Sequence, residues 1–533
     1  MRSASKSLLS FAALAAFLFV SCGTEPTGLR SLAPVDAAVY LETPDLGALL
    51  GKLAGSPAIG QGERKFDPSR LDGMEAAVAV TGFEASESAV TESEAVLNFQ
   101  PQFTLIAETH AWSWQMEPLV TGTLGEFVNA NYGAGTKFEK SEREGEQWYI
   151  WTAPDGRKAF AAVSGSQVFF GNNEAGVESC LAVKKGEQKS LLDSDRLSRQ
   201  YEAAKGKLAF GYVSEEGVAA LSEFAGISMA IERSEQAGER SVISSVFPQL
   251  IRNAVKEIVW TAREEGEGIE DVVDIKLDDN VAEAFEASMR PSATADREML
   301  KFVPPDAFSA TRYNLRNPRV AFRSLLLASA TKVDPSATRF VPLLGASLLQ
   351  PYGVADPEAF LSFIGSSIVT VLFDEANSQS AAIVRTDDFE ELRKHLLQGF
   401  AKAEGADPET WSEAESGLRA VRTGSYVVIG DEVSVAKCLR AAGSQNDAAK
   451  ESDLTRSAYF GLAVRPEHSS VTVSRDLSSA SELAEVFITG RTAVKIETYE
   501  VTMTDFERFG IKRTYRSAFG FPGLIVSQFA DAR

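Results

Sequence analysis

Val163-Ser164-Gly165-Ser166-Gln167-Val168-Phe169-Phe170-Gly171, followed by Val177-Glu178-Ser179-Cys180-Leu181, decides how this chain reads, because the pattern occurs twice. The second occurrence is Val421-Arg422-Thr423-Gly424-Ser425-Tyr426-Val427-Val428-Ile429-Gly430, followed by Val435-Ala436-Lys437-Cys438-Leu439. Gly-Ser, a later glycine, and Val-x-x-Cys-Leu recur with one residue of slippage. Each copy reads as a strand, a glycine turn and a short helix. Cys180 and Cys438 therefore hold equivalent positions. Equivalent sites meet only across a pseudo-symmetry axis, so each cysteine is expected to pack inside its own repeat as a small hydrophobe rather than bridge.

The repeat extends in both directions. Pro34-Val35-Asp36-Ala37 recurs as Pro305-Asp306-Ala307 after another proline, each opening a strand. Leu46 to Leu53 and Val320 to Leu327 read as the helices that follow. Phe103 to Thr109 and Ala381 to Thr386 read as strands ending at a helix start, with Thr109-His110 aligned to Thr386-Asp387. Gly268-Ile269 recurs as Gly510-Ile511 inside a hairpin, and an apolar segment follows each, Val281 to Phe285 and Ser517 to Phe521. In the second unit Asp387-Asp388-Phe389-Glu390 reads as a capping box, and Leu392, Leu396 and Phe400 continue it as a helical stripe. Units this long are not solenoid repeats. The expectation is an α+β fold of two tandem duplicated domains, mostly antiparallel sheets with packed helices. The first domain is placed at residues 30–290 and the second at 298–533, with a linker at 291–297. Glu84 to Glu94 and Ser444 to Ser452 read as solvated loops.

At the other end of the argument stands Phe19-Val20-Ser21-Cys22. Arg2 and Lys6 precede an uncharged run from Leu8 to Val20, the layout of a secretory signal. The run is short for a membrane span and gives way to the polar Gly23-Thr24-Glu25-Pro26-Thr27-Gly28. Small residues before a cysteine make the segment resemble a bacterial lipoprotein signal, with Phe19 where a leucine is usual. The resemblance implies a signal peptide at residues 1–21, cleavage before Cys22, acylation of Cys22, and a tether at 22–29. Two acyl chains suffice for stable anchoring. Gly rather than Asp at position 23 implies the outer membrane in a two-membrane cell. The Pro-x-Asp-Ala openings are similar to an uncharacterised family of secreted bacterial proteins, which implies no activity.

Composition fits a folded body: 44% hydrophobic and 24% charged residues, with a net charge of −21. So acidic a surface repels phosphate backbones and anionic lipid and argues against a nucleic-acid partner. The expected contacts are the membrane through the anchor and an envelope protein or glycan.

No catalytic set is legible. The histidines are His110, His395 and His468, none at ligand spacing, and no Cys-x-x-Cys occurs. His110 is expected at a helix cap, His395 on a helix rim and His468 in a turn. Ser434-Val435-Ala436-Lys437 matches a Ser-x-x-Lys motif by chance, lacking its Ser-Asp-Asn and Lys-Thr-Gly partners. Gly47 to Lys52 lacks phosphate-loop spacing. No cofactor or metal is expected. Trp112, Trp114, Trp148 and Trp151 concentrate in the first unit and form a candidate aromatic platform for sugar or lipid, against the alternative of ordinary core and rim packing. The favoured function is a lipid-anchored envelope protein with a binding, scaffolding or assembly role, and the alternative is an envelope hydrolase. A pocket with buried, hydrogen-bonded carboxylates of shifted titration would favour the enzyme. A broad apolar patch or groove would favour binding.

Overall fold

A computed structural model describes residues 28–527 apart from 61, 66, 90–94, 134, 195–196, 198–203, 234–236, 331–344, 346–347, 375–378, 396–399, 404–407, 414–415, 444–465, 477–478 and 490–497. The fold is α+β. The first half contains β1 (Val39–Thr43), α1 (Leu46–Ala54), β2 (Glu63–Arg64), β3 (Glu75–Ala89), β4 (Ala95–Glu108), α2 (Ser113–Pro118), α3 (Gly125–Tyr132), β5 (Lys137–Arg143) and β6 (Glu146–Thr152). It continues with β7 (Lys158–Ser164), β8 (Gln167–Gly171), α4 (Glu174–Lys184), β9 (Ala209–Val213), α5 (Glu215–Arg233), α6 (Ala237–Ala254), β10 (Val255–Glu265), β11 (Gly268–Leu277) and α7 (Asp279–Ser288). The second half contains β12 (Ser309–Asn314), α8 (Pro318–Ala330), α9 (Pro357–Phe360), β13 (Ser367–Leu372), β14 (Ser380–Arg385), α10 (Phe389–Arg393), β15 (Ala401–Lys402) and β16 (Thr410–Ser412). After these come β17 (Leu418–Thr423), β18 (Tyr426–Asp431), α11 (Glu432–Gly443), β19 (Ser470–Asp476), α12 (Ser479–Phe487), β20 (Ile488–Thr489), β21 (Thr498–Glu507), β22 (Gly510–Ser517) and α13 (Gly520–Ser527).

Every ladder is antiparallel. In the first half they run β5-β6-β7-β8-β4-β3-β1-β9-β10-β11. In the second they run β15-β16-β17-β18-β14-β13-β12-β19-β21-β22. These are the same strands in the same order, and β11 pairs with β22 to join them. Among the described residues β5 and β15 have one partner each, so the ladders form a single open run with those strands at its ends.

The correspondence reaches single bonds. Thr109 N–H donates to Ser166 O at 3.1 Å, and Thr386 N–H to Ser425 O at 2.9 Å. Phe103 N–H donates to Asn172 Oδ1 at 3.0 Å, and Ser380 N–H to Asp431 Oδ2 at 2.8 Å. Gly165 and Gly424, at φ 68° and 60°, turn the β7–β8 and β17–β18 hairpins in the left-handed region that glycine tolerates. Gly171 and Gly430 serve close approach instead. A Cβ there would lie 2.4 Å from Phe103 O and 2.2 Å from Ser380 O. Cys180 on α4 and Cys438 on α11 are buried, unbridged and in separate clusters, and burial pushes both thiols up to about 12.

The seam between the halves has its own symmetry. Both hairpins close through a two-residue turn, Glu265 facing Gly268 and Glu507 facing Gly510, so Gly268 corresponds to Gly510. Counted from those tips, Ile269↔Ser517 and Ile275↔Ile511 are one pairing seen from two sides, with Val272↔Thr514 at the centre. This is an isologous joint made within one chain. The halves also exchange helices. On α12, Ala480, Leu483, Ala484 and Phe487 form a buried stripe at helical spacing. The helix packs against α1 of the first half, while α6 of the first half packs against α8 of the second. Short strands β2 and β20 pair across the same boundary. One apolar core accordingly holds Leu53, Trp151 and Trp260 together with Leu483, Phe487 and Phe519.

Several expectations need correction. Glu84 to Ala89 is strand, because β3 runs on to pair Glu84 with Gln100 and Ala89 with Ala95. Residues 90–94 and Ser444 to Ser452 lie outside the described residues. The cap of α10 is Asp388, whose carboxylate accepts from Glu391 N–H at 3.1 Å, not Asp387. That helix ends at Arg393, and Leu396 lies outside the described residues. The counterpart of the segment Val281 to Phe285, which lies in α7, is α13 rather than Ser517 to Phe521. The strand β22 continues to Ser517 before the chain turns. The linker is tied down at one end, where Pro291 bridges to Leu315.

Candidate functional site

A cleft of 460 Å³ opens at the seam. Strand β11 of the first half gives it Asp271, while the second half gives Arg475 and Asp476 (β19), Glu482 (α12), Glu500 (β21), Tyr515 (β22), and Phe521 and Leu524 (α13). The local sequence explains how α13 reaches the first half. Gly520 stands at φ 61° and its N–H donates to Ser517 Oγ at 2.8 Å, which turns the chain sharply after β22. A Cβ at Gly520 would sit 2.6 Å from Asp271 Oδ2, so only glycine lets the helix start so close to that carboxylate.

Asp271 is 1% exposed. Its Oδ1 accepts from Trp260 Nε1 at 2.8 Å and its Oδ2 from Phe521 N–H at 2.9 Å, the first turn of α13. Burial raises its carboxyl to about 6. The two hydrogen bonds oppose that shift, and the negative charges of Glu500 and Glu270 add to it. Burial also raises Glu500, which accepts from Thr502 Oγ1 at 3.1 Å. The Tyr515 and Phe521 rings meet at 4.9 Å, and Trp260 lies 6.0 Å from Phe521. Beside the cleft, Glu270 is buried between two guanidinium groups. Arg263 Nε donates to it at 2.7 Å, and Arg516 Nε, from the other half, at 2.8 Å. A charge buried this deeply is tolerable only because it is paired.

The four tryptophans do not gather. Trp148 and Trp151 are buried, and their three-residue spacing along β6 puts them on opposite faces, in two different clusters. Trp112 is 74% exposed at the start of α2, and the side chain of Trp114 lies outside the described residues. Cys22 lies outside them as well. His110 is not a cap. Trp112 occupies that position, and its N–H donates to Gln115 Oε1 at 2.9 Å. His110 instead sits at φ 51°, its N–H on Glu108 Oε1 at 2.9 Å. His395 stacks on Phe363 with ring centroids 5.4 Å apart. His468, in a turn, meets Asp505 Oδ2 through Nδ1 at 2.9 Å. Among the described residues no three potential ligands gather to hold a metal, and no helix is long and apolar enough to cross a membrane.

The sequence reading missed Asp271 and Glu500. The available signal was Glu270-Asp271 set inside a strand otherwise rich in Ile and Val, where adjacent acids are out of place.

No protein-family model and no curated protein matches the chain. Two solved structures are similar to parts of it, both of a protein named TP0453. Its crystal form I shares 8% identity over 48% of this chain and 80% of that one, at a TM-score of 0.23. Crystal form IV shares 13% over 50% of this chain and 83% of that one, also at 0.23, and likenesses this slight carry no argument about function.

Proposed function

We propose that this is a binding protein of the cell envelope, tethered to the outer membrane through lipid on Cys22, which holds a small organic ligand in the seam cleft. The observation that carries the reading is the cleft itself. Its volume lies in the range of ligand pockets, it opens where two structural units meet, and it combines aromatic rings with a few fixed polar groups. Its carboxylates disfavour an anion, so the ligand is neutral or cationic. The matching ladder orders of the two halves support an origin by duplication, with the ligand site arising at the joint.

A hydrolase is the second reading. It is favoured by Asp271, which at about 6 titrates where a general acid works, and by Glu500 beside it. Binding is preferred because both Asp271 oxygens already take the bonds that hold α13 and Trp260 in place.

The test places a photo-crosslinking residue at Leu524, which lines the cleft and is 51% exposed, in intact cells. A specific adduct is expected there and not from the same residue at Phe509, which is 65% exposed on a turn away from the lining. Equal labelling from both positions rejects the cleft as the site. Hydrolytic turnover by the purified chain that vanishes in D271N moves the assignment to the enzyme. The anchor has a separate check. C22S is expected to shift the protein from the membrane to the soluble fraction and to abolish fatty-acid labelling. A wild type that takes no label overturns the lipid anchor.

A further inference from the structure

We propose that Trp112 is a second membrane contact, inserting its indole into the headgroup region of the bilayer that holds Cys22. The proposal rests on the lipid-anchor reading and goes beyond it. Trp112 is 74% exposed, the most exposed large apolar side chain among the described residues. It is not loosely held. Its N–H is fixed on Gln115 Oε1 at 2.9 Å, and the preceding Ala111 N–H is fixed on Thr109 Oγ1 at 3.1 Å, so the turn presents the ring from a rigid base.

Its position relative to the tether selects the occupant. Gly28, where the described chain begins, donates its N–H to Glu75 Oε2 at 3.3 Å. The other oxygen of the same carboxylate lies 3.8 Å from His110 Nε2. The tether thus enters the body against the turn that carries Trp112, two residues beyond His110. From Cys22 to Gly28 the backbone spans at most about 20 Å. The part of the body around Gly28, including this turn, is therefore the part the anchor keeps nearest the membrane. Indole, apolar in body with one N–H donor, is the side chain best suited to the headgroup region. Insertion of a neutral ring does not require attraction to the strongly acidic body, so a zwitterionic surface is sufficient.

The experiment uses the full lipidated chain on phosphatidylcholine vesicles, with and without bromine on the acyl chains. The expected result is quenching of tryptophan emission by brominated lipid in the wild type and loss of that quenching in W112A, with both proteins vesicle-bound and equal in circular dichroism. Equal quenching in both, or none in either while both stay bound, overturns the Trp112 contact and leaves the anchor standing. A wild type that carries no lipid and does not float with the vesicles overturns the anchor, and this proposal with it. A protein crosslinked in cells through position 112, without quenching, assigns the surface to a protein partner instead.

Discussion

Alanine at Gly510 is expected to destabilise the protein by about 3 kcal/mol, read as a lowered urea midpoint at an unchanged denaturant slope. The Cβ would stand 1.9 Å from Ile275 O. That oxygen is backbone, held in a ladder on both sides of β11, so it has no rotamer to give. The new methyl can be housed only by prising β22 from β11, which breaks the joint between the halves. Gly268 is the matching position, with 2.4 Å to Ser517 O, and G268A is expected to act in the same direction. Gly51 is the control. A Cβ there meets nothing within 4 Å, and in the middle of α1 alanine is expected to stabilise by about 0.5–1 kcal/mol. A G510A protein with the wild-type midpoint would show that β11 and β22 are not joined in this register.

The second large effect is a dependence of stability on pH. The Asp271 carboxyl rises from 3.8 to about 6 on folding. The folded state therefore holds the proton more tightly than the unfolded chain. Stability from this group is full below pH 4, declines as pH rises from 4 to 6, and stays low above that range. A shift of this size corresponds to about 3 kcal/mol, and Glu500, raised mainly by burial, acts with the same sign. Carboxylates held low, such as Asp193 under its Ser190 hydrogen bonds, act in the opposite direction. The discriminating measurement is therefore the difference between wild type and D271N at pH 4.5 and pH 7.5. The wild type is expected to lose stability across that interval relative to the variant. Parallel pH profiles would mean that Asp271 titrates as an ordinary carboxyl and is not sealed beneath α13.

The hairpins were legible in the sequence because glycine turn chemistry is local. Gly165-Ser166 and Gly424-Ser425 announce a left-handed turn without help from the rest of the chain. The spacing of Trp148 and Trp151 was also legible, since period-two alternation places residues three apart on opposite faces of a strand. Grouping them by residue type concealed that. The cleft was not legible. Asp271 is buried by α13, which arrives only at the far end of the sequence, and no feature of β11 alone names β22 as its partner. The capping register failed by one residue, at Asp388 against Asp387, where two adjacent acids compete for one role.

The self-matching joint bears on how the chain is made. Synthesis delivers the first half before the second, so β11 is complete while β22 does not yet exist. Until then its edge offers unpaired backbone groups that another copy of β11 could match in register, but that pairing sets Glu270 against the copy's Asp274, where β22 sets the two acids against Arg516 and Lys512. Two nascent chains meeting at that stage can align their backbones edge to edge, but the facing acids favour exchange of such a pair for each chain's own β22. The opposite charges of β11 and β22 thus act against pairing between copies and direct each first half to the last strands of its own chain.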